Sequence, residues 1–600
     1  MTVEPPLDDR SRNLLGIAGF ASLIGALIIA HTNPAAEYEL SIYAATPLAF
    51  WVGVVIAFSV ALYLAFWADG GRYRILGVSL GGMSSFAVVS LPILRGYYFH
   101  GVHDAVTHVG WARELATGAQ LPFDLLYPGI HTLGAFIAEL TGYTVWQSML
   151  FVPALVILAF FVFTPLVVRE IIDGSLAAAV GAFSAFLLIP VHLIANTTSA
   201  HPSSQTIFFT PVVLYLLIRY LRSSGTTGRF GVFTAVGVAL SLTTVAAIIY
   251  HPQQALNVII LFGVIGLIQL GADRISDLSW RNHRQMYSIT GLSAIAYLGW
   301  VFHSPTVIST AQGAFQSVLG YLTGSAPAPG SSVASQTTAL TAIDANLPVT
   351  FLKLFAVSTV FAVLTVVVLL GAFGDRFRES ELKVDTTNLL KYLGSALATM
   401  FTVVLIYFLG DVAVHYFRQA GFMVMMGTIL GAVGISYGSM VFRKRGHGIA
   451  VRAALVGGFA VMILLSTLVV FNSPYIHKAN QHVTESKVDG YETTFEFTND
   501  SAWMAGIRQE PQRYWDGIVG TDDNGRRDGN VNSTEIHRLQ QQRDTDWYLT
   551  VHTNTYERET IAYQGYRYSA DDLGAIERQV GVNRVHANGD FRLFYVSSGE

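Results

Sequence analysis

The sequence has no cysteine among its 600 residues. That absence excludes disulfide bonds, thiol nucleophiles and metal sites built from thiolate ligands. Charged residues are also scarce: Asp, Glu, Lys and Arg make up only 13% of the chain, whereas a soluble protein carries roughly 25%. The first residues, MTVEPPLDDRSRN, lack the basic region and cleavage site of a removable signal peptide, so we expect the first apolar run to be retained as a helix.

Hydrophobic residues, by contrast, make up 52% of the chain and gather in long runs. A helix needs about 20 mostly apolar residues to cross the hydrocarbon core of a bilayer. The runs therefore predict an α-helical polytopic membrane protein with about 13 transmembrane helices. The predicted spans are residues 14–32, 48–68, 75–94, 145–168, 176–195, 205–221, 231–250, 255–271, 286–302, 349–373, 389–409, 422–442 and 449–471.

The basic residues predict the orientation, because short loops rich in Lys and Arg face the cytoplasm. With a cytoplasmic N-terminus, the outer loops hold little beyond Arg95, Arg113 and Arg418. The inner loops then hold Arg72, Arg74, Arg169, Arg219, Arg222, Arg229, Arg274, Arg281, Arg284, Arg376, Arg378, Lys383, Arg443, Lys444 and Arg445. We predict a multi-pass protein of the cell membrane whose C-terminal tail is extracytoplasmic.

Hydropathy divides the chain into three parts. Residues 1–74 are predicted to form an N-terminal transmembrane hairpin, residues 75–473 the main transmembrane domain, and residues 474–600 a soluble extracytoplasmic domain. Two long outer loops, 95–144 and 304–348, interrupt the transmembrane domain. The second is rich in Gly, Ser, Ala and Pro, with a short helix-like piece around residues 315–322. It is either a flexible linker or a mobile loop that closes over a substrate.

The tail shows the mixed pattern of a small α+β domain. Strand-like runs occupy residues 547–551 and 592–596, and helix-like runs occupy 532–543 and 570–580. The dipeptide Asn588-Gly589 is a turn signal just before the second strand-like run.

The first outer loop is the strongest candidate for an active site. A loop longer than about 12–15 residues in a compact protein is usually functional or disordered. Here His108, Trp111, Ala112 and Leu115 recur at helical spacing, as do His131, Leu133, Phe136 and Leu140, which indicates short surface helices rather than disorder. We place Asp104 at the chemical centre of this loop, with His103, His108 and Arg113 as candidate substrate-binding residues.

Three more polar residues lie at predicted outer ends of spans, where ionisable groups are costly and therefore informative. They are His201, His251 and Arg418, which we add as candidate substrate-binding residues. Each has a simpler explanation. A histidine beside a proline could cap a helix end, Arg418 could extend its charge to the membrane surface, and Asp104 could cap the helix that follows it.

The chain resembles the GT-C fold glycosyltransferases, membrane enzymes that use polyprenyl-phosphate-linked sugars. The resemblance rests on an acid just after a span in YYFHGVHDAVTHVGWARELATG, on the continuation LLYPGIHTLGAF, and on a soluble domain after the last span. In particular the chain is similar to archaeal dolichyl-phosphate-mannose mannosyltransferases of S-layer N-glycosylation, which the ending VNRVHANGDFRLFYVSS also resembles. The acidic loop follows the third span rather than the first, so an extra N-terminal hairpin is assumed.

The resemblance implies a reaction and a set of partners. The expected donor is a dolichyl- or polyprenyl-phosphate-linked sugar, and the expected acceptor is a glycan or glycoprotein at the outer surface of the lipid bilayer. Asp104 would be the general base of an inverting displacement, and Arg418 with His251 would meet the lipid phosphate. The next outer loop, NTTSAHPSSQ, has no second acidic motif, and Tyr514-Trp515-Asp516 only partly matches the WWD signature of oligosaccharyltransferases. We therefore predict transfer of a single sugar, with no metal, no cofactor and no nucleic acid.

Two other functions are open. A transporter or flippase of lipid-linked sugars would have interrupted spans with charges near mid-membrane and an internal repeat, neither of which is evident in the sequence. A non-catalytic membrane scaffold would explain the soluble tail but not the concentration of His and Asp in the first outer loop.

Overall fold

The protein is a polytopic helical membrane protein with a C-terminal α+β domain. The structure, a computed structural model, describes residues 8–190, 197–223, 231–275, 283–325, 329–377, 385–499, 502–508, 510–521, 527 and 529–598. Nine helices within these ranges are long and apolar enough to cross a membrane. Many of their apolar side chains, such as Ile17 and Leu370, are exposed on the outside of the bundle, as expected of surfaces that face lipid.

The first half of the chain forms helices α1 to α13, of which α6 and α7 belong to the first outer loop, together with a two-residue strand in that loop. Helices α1 to α7 are Asp9–Thr32, Ile42–Ala45, Leu48–Leu62, Gly71–Val89, Leu91–Leu94, Asp104–Thr117 and Pro128–Thr141, and strand β1 is Phe99–His100. Helices α8 to α13 are Val145–Ile171, Ser175–Phe186, Pro202–Arg222, Ala235–Tyr250, Pro252–Ile275 and Tyr287–His303.

The second half completes the bundle and then forms the C-terminal domain. Helices α14 to α19 are Pro305–Leu322, Ser331–Ala342, Leu347–Phe373, Thr386–Leu409, Ala413–Lys444 and Gly448–Thr467. Helices α20 to α23 are Glu485–Phe497, Glu510–Ile518, Thr555–Glu557 and Ala570–Ala575. Strands β2 to β7 are His482–Val483, Trp503–Gly506, Gly529–Asn530, Trp547–His552, Val582–Asn588 and Phe591–Val596.

All thirteen predicted spans fall on helices, but four of these helices, α4, α9, α11 and α13, are not among the nine described helices that are long and apolar enough to cross a membrane. The clearest difference in length is in α9. The span predicted at 176–195 is helical only to Phe186 in the described residues, and 191–195 lie outside them. Leu188 takes a left-handed backbone with φ of 46°. Pro190 follows two residues later and cannot continue a helix, so the helix ends early.

The described residues of the outer segment 304–348 are mostly helical, so of the two alternatives left open by its composition the flexible linker does not describe them. Helix α14 begins at Pro305, a residue suited to a first helical turn. Helix α15 follows after a left-handed Gly330 with φ of 76°. Helix α14 packs beside α13 and α17, and α15 packs beside α16.

The first outer loop forms two amphipathic helices, as its periodicity predicts. Helices α6 and α7 are each followed by a capping glycine, Gly118 and Gly142. Both glycines are in the left-handed conformation that glycine adopts without strain. His108 and Ala112 of α6 and His131 of α7 are buried, so these helices are packed elements rather than surface ones.

The C-terminal domain, defined here as residues 482–598, is built on a five-stranded sheet in the order β4-β3-β5-β7-β6. Strand β3 runs parallel to β4 and β5, whereas β7 runs antiparallel to β5 and β6. The predicted turn at Asn588-Gly589 joins β6 to β7. The helix predicted at 532–543 is instead a series of turns with one short 3-10 helix, Leu539–Gln541. That segment buries Ile536 and Leu539 against the core of the sheet.

The domain docks directly on the first outer loop. Strand β1 of the loop pairs antiparallel with β2, with Phe99 opposite Val483 and His100 opposite His482. Helix α21 lies against α6, and a shared apolar cluster joins the loop to the domain. Its buried members include Phe99, Val106, Trp146, Tyr491, Tyr514 and Phe591. The first outer loop is therefore held between the bundle and the C-terminal domain.

Candidate active site

A cavity of about 450 Å³ lies where the bundle meets the two outer segments. This volume is within the range of small-molecule sites. Most of its wall is apolar, and α14 of the outer segment provides one side of it. The apolar and aromatic lining residues are Leu126, Tyr127, Pro252, Leu256, Tyr297, Val307, Ala311, Ala314, Phe315, Val318, Ile406 and Tyr407.

Polar groups gather on one part of this wall. The Oε1 atom of Gln253 accepts from Nη1 of Arg418 at 3.2 Å and lies 3.2 Å from Nδ1 of His415. The backbone carbonyl of Arg418 accepts a hydrogen bond from the side-chain amide of Gln254 at 3.2 Å. This bond holds the turn of α18 that carries the arginine. Arg418, His415 and Gln253 all line the cavity.

Two donors of this polar wall are left without partners. The Nε atom of Arg418 and the Nε2 atom of Gln253 are buried and have no hydrogen-bond partner among the described residues. No carboxylate of the described chain forms an ion pair with Arg418 within 4 Å. A buried donor that lacks a partner is costly, and more so when it is charged. The arrangement suits a ligand that brings anionic oxygen atoms.

A series of aromatic rings runs from the cavity into the first outer loop. The ring of Tyr127 stacks on that of His251, with centroids 4.9 Å apart and planes 5° apart. The Tyr127 ring also meets the His108 ring edge-on, with the two ring centroids 6.2 Å apart. His108 in turn places Nδ1 2.9 Å from Nε2 of His131. Burial lowers the pKa of His108 to about 3, so this histidine is neutral at physiological pH.

Asp104 lies outside the cavity, at the start of α6. Its side chain is 73% exposed, and its Oδ1 atom is 2.9 Å from Nη2 of Arg513 in the C-terminal domain. The carboxylate is also near enough to interact electrostatically with Arg418 and Tyr127. Burial raises the pKa of Tyr127, and the negative charge of Asp104 adds to that effect while Arg418 opposes it. Asp104 thus faces water beside the polar end of the cavity.

The other predicted residues take different positions. His201 caps α10 by accepting from the backbone amide of Ser204 at 3.2 Å, and it lies near both Arg418 and His108. His103 is exposed and adopts a left-handed backbone with φ of 54°. Arg113 does not line the cavity: its guanidinium donates to the carbonyl of Ile518. The structure therefore groups Asp104, His108, His201, His251 and Arg418, and places Arg113 in the contact with the C-terminal domain.

Two further residues contact this group and were not candidates from the sequence, Gln253 and Arg513. Gln253 follows His251-Pro252, and only the fold shows that its side chain bridges His415 and Arg418. Arg513 lies about 400 residues from Asp104, so no local pattern connects the two. In the described part of the chain, no three His, Asp or Glu side chains gather closely enough to hold a metal ion.

Neither a family model nor a curated protein matches the chain. Among solved structures, ArnT from Cupriavidus metallidurans bound to undecaprenyl phosphate is similar, with a TM-score of 0.47 and 12% identity over 89% of this chain and 100% of that one. The Archaeoglobus fulgidus oligosaccharyltransferase with Zn and sulfate gives a TM-score of 0.49 and 13% identity, over 87% and 73% of the two chains. AglB from the same organism, with an inhibitory peptide and dolichol-phosphate, gives 0.47 and 12%, over 86% and 74%. At these scores the chemistry of this chain rests on its own residues.

Proposed function

We propose that this protein is a membrane glycosyltransferase that moves a single sugar from a polyprenyl-phosphate carrier to a glycan or glycoprotein acceptor. The observation that carries the proposal is the cavity with apolar walls, whose polar part holds a guanidinium with a buried Nε atom that has no hydrogen-bond partner among the described residues. A polyprenyl phosphate has the same division, a long apolar chain and an anionic headgroup. Arg418 and Gln253 would bind the phosphate oxygens through the donors that now lack partners.

The reaction follows from what the donor already contains. The oxygen of an acceptor hydroxyl attacks the anomeric carbon, and the bond from that carbon to the phosphate oxygen breaks. The lipid phosphate leaves with the electron pair, and Arg418 stabilises its negative charge. Because there is one displacement, the anomeric configuration is inverted. No acid is needed for the leaving group, in contrast to glycoside hydrolysis.

Asp104 is the proposed general base that takes the proton of the acceptor hydroxyl. Its exposure supports this role, because an acceptor on the water side has access to the carboxylate. Its electrostatic interaction with Arg418 supports a role beside the proposed phosphate-binding part of the cavity. A positioned base typically contributes about 10²–10⁴-fold to the rate. The resemblance favours dolichyl-phosphate-mannose as donor, and the charge distribution favours the outer face of the membrane.

Mass analysis of surface glycans tests the proposal in cells. A deletion strain is expected to lack one hexose, and the wild-type gene to restore it. Asp104→Asn is expected not to restore it, because the amide cannot accept the proton. Asp124→Asn is the matched control, since Asp124 is an exposed acid of the same loop that caps the local backbone at Leu121, and it is expected to restore the hexose fully.

Two outcomes would contradict the proposal. Unchanged glycans in the deletion strain would contradict the proposal that the protein is a glycosyltransferase. Loss of a whole lipid-linked glycan, restored equally by Asp104→Asn and wild type, would indicate a flippase instead of a transferase.

A further inference from the structure

We infer that Arg513 of the C-terminal domain positions the Asp104 carboxylate, so that docking of this domain completes the active site; the inference rests on the proposed function. Arg513 is not itself assigned to the chemistry. Its role would be to hold the direction of a carboxylate that the transmembrane part of the chain leaves exposed.

The two terminal nitrogens of the Arg513 guanidinium, on α21, contact two different side chains of α6. Nη2 of Arg513 lies 2.9 Å from Oδ1 of Asp104, and Nη1 donates to the hydroxyl of Thr107 at 3.1 Å. Asp104 and Thr107 are three residues apart on α6 and therefore lie on the same face. The Thr107 hydroxyl donates to Oδ2 of Asp516 at 2.7 Å. Asp516 is three residues after Arg513 on α21, so each helix contributes an aligned pair to one polar chain.

Close packing fixes the register of this chain. At Gly110 on α6, an added Cβ atom would lie 2.1 Å from the carbonyl oxygen of Asp516. At Gly517 on α21, an added Cβ would lie 3.1 Å from the side chains of Val106 and Trp146. At Gly110 the two helices therefore approach so closely that only glycine fits, whereas at Gly517 a side chain would crowd its neighbours, and this contact sets the distance between Arg513 and Asp104.

The local backbone gives Asp104 little support of its own. His103, the residue before it, has φ of 54° and makes no side-chain cap on α6. Such a conformation is strained for a non-glycine residue and persists where the surroundings hold it. The surroundings here are the C-terminal domain, since Arg513, Glu510 and Arg558 all interact electrostatically with His103.

A surface ion pair usually contributes little to stability, so the expected effect is on catalysis rather than on folding. A misplacement of about 1 Å in a reacting group can reduce the rate by about 100-fold. We therefore expect Arg513→Ala to lower kcat by about 10–100-fold with little change in KM for the lipid donor. Arg513→Lys keeps the charge but not the two terminal nitrogens and is expected to recover part of kcat.

The assay uses full-length protein in nanodiscs, dolichyl-phosphate-mannose as donor, and surface glycoprotein from the deletion strain as acceptor. Arg592→Ala is the matched control: Arg592 is a half-exposed arginine of the same domain that pairs with Glu577 at 3.1 Å, and its loss is expected to leave kcat unchanged. In an Asp104→Asn background, Arg513→Ala is expected to add almost nothing, because residues that act as a unit are not additive.

The outcomes separate the two proposals. No mannose transfer by wild-type protein would contradict the proposed function. Active wild type together with an equally active Arg513→Ala would contradict the positioning role alone. A fall in kcat that is the same in the wild-type and Asp104→Asn backgrounds would also contradict it, since Arg513 would then act independently of Asp104.

Discussion

Two buried regions of the molecule treat an arginine in opposite ways. In the C-terminal domain, Arg558 lies 2.8 Å from Glu510, and Lys487 and His552 approach the same carboxylate at 2.9 and 2.6 Å. In the cavity wall, the only side-chain hydrogen bond of Arg418 in the described part of the chain goes to the neutral Gln253, and the Asp104 carboxylate acts on it from beyond ion-pair distance. The first charge has an acid in direct contact, and the second has none among the described residues.

The difference separates a charge that serves the fold from one that serves a ligand. Burial alone would raise the pKa of Glu510, but His552, Lys487 and Arg558 together lower it well below its usual range, so the carboxylate stays ionised. No such compensation surrounds Arg418 in the described residues. Because an unpaired buried charge is costly, we interpret Arg418 as a group whose partner arrives with the substrate.

The largest effect is expected from breaking the neutralised cluster. Glu510→Ala leaves Lys487 and Arg558 buried without their acid, which typically costs about 3–5 kcal/mol. Thermal unfolding of the purified protein, followed through the β-sheet signal of the C-terminal domain, measures the loss. Glu577→Ala, which removes an acid from exposed pairs with Arg584 and Arg592, is expected to change stability by less than about 0.5 kcal/mol. Equal unfolding of the two variants would show that the cluster does not stabilise the domain.

A smaller effect, and on binding rather than stability, is expected at the cavity. Arg418→Ala removes a charged donor worth about 1.5–3 kcal/mol, so the affinity for dolichyl phosphate in detergent is expected to fall about 10–100-fold. The unfolding temperature is expected to stay the same or rise. Arg452→Ala is the control, because Arg452 already has Asp69 as its partner at 2.7 Å. Unchanged affinity in Arg418→Ala would remove this residue from the phosphate site.

The smallest effect concerns histidines that are buried neutral. His108 and His131 bond each other, and burial lowers the pKa of both, to about 3 for His108. Below pH 6.5 the histidine is protonated in the unfolded chain but stays neutral in the folded protein. The free energy of unfolding is therefore highest above pH 6.5 and decreases as the pH falls toward 3. At pH 5 the loss is about 2 kcal/mol for His108.

Hydrogen exchange of α6 and α7 at pH 7.5 and pH 5, corrected for intrinsic rates, measures this loss. His108→Gln is expected to reduce the pH dependence, whereas His31→Gln, at an exposed position of α1, is expected to leave it unchanged. Protection that is independent of pH in the wild-type protein would contradict the assignment of buried neutral histidines.

How much of this could be predicted from the sequence depends on the range of the interaction. Helices α6 and α7 were predictable because helical spacing is a local pattern, and the spans were predictable because lipid demands continuous apolar runs. The pairing of Arg513 with Asp104 was not, since it depends on how α21 packs on α6. The helices of the long outer segment could not be predicted, because a composition rich in Gly, Ser and Ala fits a flexible linker as well as a helix. Helix α14 of this segment lines the cavity, and that position depends on the packing of the bundle.

The absence of cysteine permits a direct measurement of the central claim, that the cavity holds a polyprenyl phosphate through Arg418. A single cysteine introduced as Ala311→Cys lies on the exposed, cavity-lining side of α14 and has no competing thiol. We predict that dolichyl phosphate slows its alkylation by a maleimide, that dolichol without the phosphate does so far less, and that adding Arg418→Ala abolishes the protection. Equal protection by dolichol and dolichyl phosphate, or protection that survives the loss of Arg418, would contradict the account.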